Sequence, residues 1–506
     1  MSSTGTMVVR LALLLLCSSG LLPRLAAAPG RPIRAVNLGG WLVTEGWIMP
    51  SLFDGIPNKD LLDGTKLQFK SVVQNRYLAA NQGGGAAIVA DRTQASSWET
   101  FRLWSFNATS FNFRVFGGQF WSVNSTGAVV ATATSPGPSE TFQIVCWDAN
   151  TTRVRIRASN GLFLQAKTMQ SLTADRGVAT DWSDSDPSVF FANNVDILRG
   201  EYQICNGYGI TNATKVLTNH WSTYINESDF SFMSSNGLNA VRIPVGWWIA
   251  SDPNPPLPFV GGSLKALDNA FVWSQKYNIS VIVTLHAAPG SQNPYEHSGT
   301  RDGSYSWGTS DTNIAQTVKV IDFLASRYAN RSSLLAIELL NEPLYPGVTL
   351  PSLQKYYQDG YNAVRRRTST AYVIMSNRIA TPDETELLQF ASNFSGSVLD
   401  VHYYNLFNSK FDNFTVQENI DYVQNNRTSD LAAITTNGFP LTFVGEWVAE
   451  WNVRGASKAD YQKFAQVQED VYGRATFGWA YWTLKNVNKA WSMEWMIKNG
   501  YISLTS

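Results

Sequence analysis

The stretch Leu334-Leu335-Ala336-Ile337-Glu338-Leu339-Leu340-Asn341-Glu342-Pro343 decides how this chain folds. Residues 334–340 read as an apolar strand that gives way to a polar pair, Asn341-Glu342. A second stretch, Leu441-Thr442-Phe443-Val444-Gly445-Glu446-Trp447, repeats the arrangement, an apolar strand ending on a carboxylate. Working outward, six more strand-like runs lie at 34–41, 239–245, 280–286, 372–376, 398–403 and 477–482. Helical stretches at 263–277, 312–328, 353–367 and 458–472 separate many of them. Strands and helices alternating in this way predict an α/β fold, a (β/α)8 TIM barrel. In such a barrel the C-terminal strand ends meet on one face. Glu342 and Glu446, on the fourth and seventh strands, are therefore expected to converge in space.

Between about 63 and 195 the texture changes to short strands broken by Gly, Asn, Ser and Thr turns. Leu67-Gln68-Phe69-Lys70, Phe111-Asn112-Phe113-Arg114 and Val154-Arg155-Ile156-Arg157 follow one pattern. So do Tyr77-Leu78, Phe120-Trp121 and Phe163-Leu164, and each copy closes on an aromatic, Phe101, Phe142 or Phe190. Such a threefold internal repeat predicts a β-trefoil inserted after the first barrel strand, with a generic β-sandwich as the alternative. The expected organisation is a signal peptide at 1–28, the barrel in 29–62 and 196–506, and the insert at 63–195.

The N-terminus reads as a secretory signal, with Arg10, the apolar run 11–17 and the small residues Ala26, Ala27 and Ala28. Asn107, Asn124, Asn150, Asn212, Asn226, Asn278, Asn330, Asn393, Asn413 and Asn426 each open an Asn-X-Ser/Thr sequon, which fits a secreted, extracellular protein. No later run is long and apolar enough to suggest a membrane partner. The balance of 39 basic against 39 acidic side chains, without basic clusters, gives little footprint for nucleic acid. A monomer is expected. Beyond Cys17 in the signal, Cys146 and Cys205 could pair in an oxidising compartment or remain two separate thiols. The 18 Trp, 20 Tyr and 26 Phe suit stacking on sugar faces, although aromatic rings also fill cores.

Paired carboxylates at one barrel mouth suit glycoside hydrolysis, in which one protonates the leaving oxygen and the other attacks the anomeric carbon. The acid would hold its proton while the nucleophile stays ionised. Other polar and aromatic residues also end strands: Arg242, His286, His402, Tyr404 and Trp482. No Cys-X-X-Cys, His-Glu-X-X-His or Gly-X-Ser-X-Gly motif occurs, and the glycines at 83–85 lack the Lys of a phosphate loop. Neither a metal nor a cofactor is expected.

Arg, His, Asn-Glu, His-X-Tyr, Glu and Trp, in that order on successive strands, resemble glycoside hydrolase family five. Asn37-Leu38-Gly39-Gly40-Trp41, the run from His286 to Asn293 and Ser298-Gly299-Thr300-Arg301-Asp302 are similar to its exo-β-1,3-glucanase branch. With the fascin-like insert, the chain resembles the plant form. The resemblance implies Glu342 as acid/base and Glu446 as nucleophile. It implies Asn341 on the sugar 2-hydroxyl, Arg242 and Tyr404 on the nucleophile, and His286 and His402 on sugar and catalytic groups. Trp482 would floor the first subsite, Glu45 would close the non-reducing end, and Tyr295 and Phe407 would clamp the leaving sugar. Where the branch has Asp-Asn before Ser-Gly, this chain has Glu296-His297. His220 has no implied role and is expected at the surface. The function implied is exo-acting hydrolysis of β-1,3-gluco-oligosaccharides or β-glucosides by a retaining β-glycosidase, with insoluble wall glycan a further partner through the insert. The alternatives are a catalytically weak glycan-binding wall protein and a transglucosidase.

Overall fold

The computed structural model describes residues 32–504, so the expected signal peptide at 1–28 lies outside the described residues. Eight parallel strands close into a barrel: β1 (Ile33–Asn37), β2 (Ala240–Gly246), β3 (Ser280–Ala287), β4 (Leu334–Glu338), β5 (Tyr372–Ser376), β6 (Ser397–Tyr403), β7 (Leu441–Trp447) and β8 (Gly478–Tyr481). Closure runs through β1, where Ala35 pairs with Ala240 on one side and Ala480 on the other. The helices Ser263–Tyr277 and Lys458–Tyr472 have the expected bounds, and the latter starts at a reciprocal Ser457/Asp460 capping box.

The period-2 alternation of a strand sorts each residue to the lumen or to the helices. Ala35, Ala240, Ile282, Ala336, Val398 and Phe443 form the apolar floor of the lumen. Their neighbours Val36, Val241, Val281, Ile337, Leu399 and Val444 join the outer core beneath the helices. Two residues further along all of these strands but the seventh, Asn37, Arg242, Thr284, Glu338 and Asp400 form a buried polar layer. One more step carries His286 and His402 to the open end.

Some expected strands are shorter. The first ends at Asn37 instead of Trp41, because the chain turns there and Trp41 donates its indole N–H to Trp221 O at 2.9 Å. The fourth ends at Glu338, leaving Glu342 on the connection beyond it, and Trp482 lies just past the eighth. His220 is buried, contrary to the expected surface position. Its Nε2 meets Gly40 O at 2.8 Å, its ring stacks on Tyr224, and burial lowers its pKa to about 4.

Between β1 and β2 the chain builds a separate antiparallel sheet of 12 strands with its own core. The pairing scheme recurs three times. Lys66–Ser71, Ser110–Arg114 and Asn150–Ala158 each form a hairpin with the next strand, and each pairs with the strand that closes its own repeat. Phe69, Phe101, Phe113 and Trp121 pack together at the centre. Cys146 is exposed and Cys205 buried, and they do not pair. No helix among the described residues is long and apolar enough to cross a membrane.

Candidate active site

A cavity of about 860 Å³ opens at the C-terminal end of the barrel. Its lining includes Glu45, His286, Tyr295, Glu342, His402, Tyr404, Phe407, Glu446 and Trp482, nine of the eleven residues singled out from the sequence. The other two, Arg242 and Asn341, are buried beneath it.

Arg242 organises the base of the site. Its guanidinium donates to both oxygens of Glu338 (2.6 and 2.7 Å), to Asn341 Oδ1 (2.7 Å), to Asn37 Oδ1 (2.9 Å) and to Glu446 Oε1 (3.0 Å). Asp400 Oδ2 is 3.7 Å away. A planar fork of donors suits this role better than a point charge would. Tyr404 donates its hydroxyl to the other oxygen of Glu446 at 2.7 Å, so both carboxylate oxygens are held. Gly445 makes room for this arrangement: a Cβ there would lie 2.3 Å from Asp400 Oδ1, which instead accepts the Gly445 N–H.

Glu342 has a left-handed backbone, φ +49°, which costs energy for a side-chain-bearing residue. Neighbouring amides hold it there. Gln292 donates to His286 O and Asn341 O, and Asn293 donates to Glu342 O at 2.9 Å. The Glu342 carboxyl meets His402 Nδ1 at 2.7 Å and His297 Nε2 at 3.2 Å. One oxygen of Glu342, one of Glu446 and a ring nitrogen of His402 lie within 4.8 Å of one another, close enough for a cation, although Arg242 and His402 already supply positive charge there.

Burial alone would lower the His402 pKa, but the carboxylates of Glu446 and Asp400 hold it well above the usual imidazole range. Burial alone would raise the Glu342 carboxyl, yet hydrogen bonds to His297 and His402 hold it well below its ordinary value. The proton expected on Glu342 is therefore favoured on the histidine side of the 2.7 Å bond, and the two groups titrate as a pair. His297 is also raised, its burial outweighed by Glu342. However, Asn293 points an N–H at the same nitrogen at 2.9 Å, so His402 is the firmer holder. His297→Asn removes a group that lowers Glu342. The alkaline limb of the pH–rate profile should then move to higher pH. An unmoved or lowered limb in the pH–rate profile would refute this coupling.

The buried polar atoms at the pocket that have no hydrogen-bond partner include Glu45 Oε1, His286 Nε2 and Asn341 Nδ2. Buried polar groups are normally paired, and a row of sugar hydroxyls would pair these. Burial lowers His286 well below its usual range, so the ring is neutral, and it lies parallel to Trp482 at 5.6 Å. Burial raises Glu45 to about 8, and its second oxygen accepts from Trp47 Nε1 at 3.1 Å. Tyr295 and Phe407 are 48% and 81% exposed, standing at the rim where rings can meet a ligand. Trp47 and Trp491, packed edge to face at 4.9 Å, also line the cavity.

The reading from sequence missed Glu338, Asp400, Asn37, Gln292, Trp47 and Trp491. The first two were detectable as lone acids inside apolar strands, in phase with the lumen. Glu338 is raised to about 7, by burial that exceeds the opposing effect of Arg242.

The segment 203–488 matches the family model for cellulase (glycosyl hydrolase family 5), and 58–195 matches a domain of unknown function. A glucan 1,3-beta-glucosidase of Blumeria graminis is 32% identical over 357 residues, 62% of this chain and 80% of that protein. A probable glucan 1,3-beta-glucosidase A of Emericella nidulans is 30% identical over 341 residues, covering 59% and 82%. Among solved structures, a rutinosidase from Aspergillus niger shares the fold, with a TM-score of 0.52 at 20% identity over 60% of this chain and 88% of that one.

Proposed function

The chain belongs to glycosyl hydrolase family 5 and is a glycoside hydrolase, and from that premise we propose an exo-acting, retaining β-glucosidase of the β-1,3-glucan type. The observation that carries the reading is the pairing of Glu446, fixed at both oxygens, with Glu342, oxygens of the two lying within 4.8 Å. Retaining pairs stand about 5–5.5 Å apart, whereas inverting pairs need about 6.5–9.5 Å to seat a water.

In the first step a Glu446 oxygen bonds to the anomeric carbon and the glycosidic C–O bond breaks. The proton held by the Glu342–His402 pair passes to the leaving oxygen. Water then attacks the same carbon, returns a proton to the pair and releases Glu446. Asn341 Nδ2 faces the site because Arg242 occupies its oxygen. This supports its donating to the 2-hydroxyl, a contact that strengthens in the transition state. Trp482 would stack under the bound sugar, and Tyr295 and Phe407 would flank the leaving sugar.

Glu45 and Trp47 support exo action, since together they present an acidic group and a ring beyond one terminal sugar. Laminari-oligosaccharides should release glucose first, from the non-reducing end, in a chromatographic time course. Early mixed long oligomers would contradict this, and dominant transfer to added alcohol would favour the transglucosidase alternative.

We read the insert as a β-trefoil, on its threefold pairing, and the enzyme as a secreted monomer of the cell wall. Nine of the ten sequon asparagines are exposed and Asn226 is half-buried, which suits glycosylation. The exposed rings Trp98 and Phe116 are where the insert would touch wall glycan.

A further inference from the structure

We propose that the inserted domain is a positioning element for Glu342, acting through the segment 292–305; this rests on reading Glu342 as the acid/base. One end of the segment fixes the acid/base residue. Asn293 donates to Glu342 O and meets His297, which in turn meets the Glu342 carboxyl. The other end is gripped by the insert. Asp302, whose side chain is 2% exposed, accepts from Trp104 Nε1 at 2.7 Å and from Arg114 Nη1 at 2.8 Å. Ser304 Oγ accepts from Arg102 at 2.9 Å and Arg114 at 2.5 Å. Arg301 reaches the opposite way, to buried Asp63 at 2.8 Å, with its guanidinium 3.8 Å from the Trp104 ring centre.

The chemistry of the insert face points to this partner. Arg102 and Arg114 are directly opposed across an antiparallel pair. Like charges in that register are unfavourable unless something between them is negative, and here Asp302 supplies that charge. Gly64, at φ +82°, lets the start of the insert run against the segment, since a Cβ there would lie 3.1 Å from Arg301 O. The chain leaving the insert closes the brace: the Arg199 N–H donates to Glu296 Oε1, and Gln203, in the first turn of the following helix, donates to Thr300 O and Arg301 O. From the insert to the catalytic carboxyl there is thus one continuous run of polar contacts through a segment that has no regular structure except the short turn Glu296–Ser298.

A displaced acid weakens proton delivery, and that loss depends on how much the leaving group needs a proton. In the full chain, Trp104→Ala and Arg114→Ala should each lower kcat/KM about tenfold or more on a gluco-oligosaccharide, the scale of a small misplacement. On a dinitrophenyl β-glucoside, whose leaving group departs without a proton, kcat/KM should stay within about twofold. Arg114→Lys should restore part of the loss. Equal losses on both substrates, or none on either, would overturn the proposal. If either variant fails to fold, Ser304→Ala, which removes only the hydroxyl that accepts from Arg102 and Arg114, is held to the same comparison. Glu342→Gln is the control: if it lacks the leaving-group dependence itself, the assignment of Glu342 fails and not the brace.

Discussion

Replacing Glu446 by Gly should reduce hydrolysis of an aryl β-glucoside by about 10^5-fold, about 7 kcal/mol of barrier. The size follows from what the side chain does. In the proposed mechanism it supplies the oxygen that bonds to the anomeric carbon, and no other described carboxylate is held at both oxygens by Arg242 and Tyr404. The substitution also leaves room for a small anion beside the Arg242 guanidinium. Azide should therefore enter, attack once from the nucleophile's side and give a glycosyl azide of inverted configuration. In Glu342→Ala the glycosyl–Glu446 ester still forms from an activated substrate, and azide then makes the second displacement, so its product should retain configuration. NMR of the two products decides the assignment. Near-normal hydrolysis by either variant, or the same configuration from both, would remove these residues from the roles given to them.

The barrel was legible in the sequence because its strands are apolar on both faces and carry polar groups at one end. Glu342, Glu446, His286 and His402 stood out as departures from otherwise apolar runs. Arg242 stood out too, but the reason for its burial did not. Its partners Glu338 and Asp400 sit inside strands, where an acid looks like an interruption until the two-residue phase places it in the lumen beneath His402. The turn at Glu342 was hidden for a different reason. Its positive φ depends on amides from Gln292 and Asn293, nearly 50 residues away, and no local propensity reports such support. His220 was misjudged because the helix Glu201–Thr223 looks weakly amphipathic. The structure shows Leu217, His220 and Trp221 on one buried stripe. The hold of the insert on the third-strand loop could not be seen either, because Arg102 and Trp104 alternate on one strand and Arg114 faces Arg102 from the next, a pattern that a solvated sheet would also present.

Arg242→Leu should destabilise the protein by about 3–5 kcal/mol, the usual cost of removing one partner from a buried charge cluster, and should lower kcat/KM by at least about 10^3-fold. Arg242 has no exposed side-chain surface, and it faces Glu338, Glu446 and Asp400, of which Glu338 and Asp400 are likewise fully buried. Leucine fills much of the space but leaves three carboxylates without their shared cation, so the loss is electrostatic and not a matter of packing. The pH dependence distinguishes the two. Even with Arg242 present, burial raises Glu338 from 4.5 to about 7. A carboxyl raised in the folded state contributes stability that is full below its unfolded pKa and is lost as pH rises through the folded one. Without Arg242 the lowering influence on Glu338 disappears, so its folded pKa rises further and the loss between about pH 5 and pH 8 deepens. Thermal unfolding should therefore show the gap between the wild-type protein and Arg242→Leu widening from pH 5 to pH 8. A gap of constant size would mean that Arg242 matters as volume alone, and the electrostatic account of this buried cluster would lose its support.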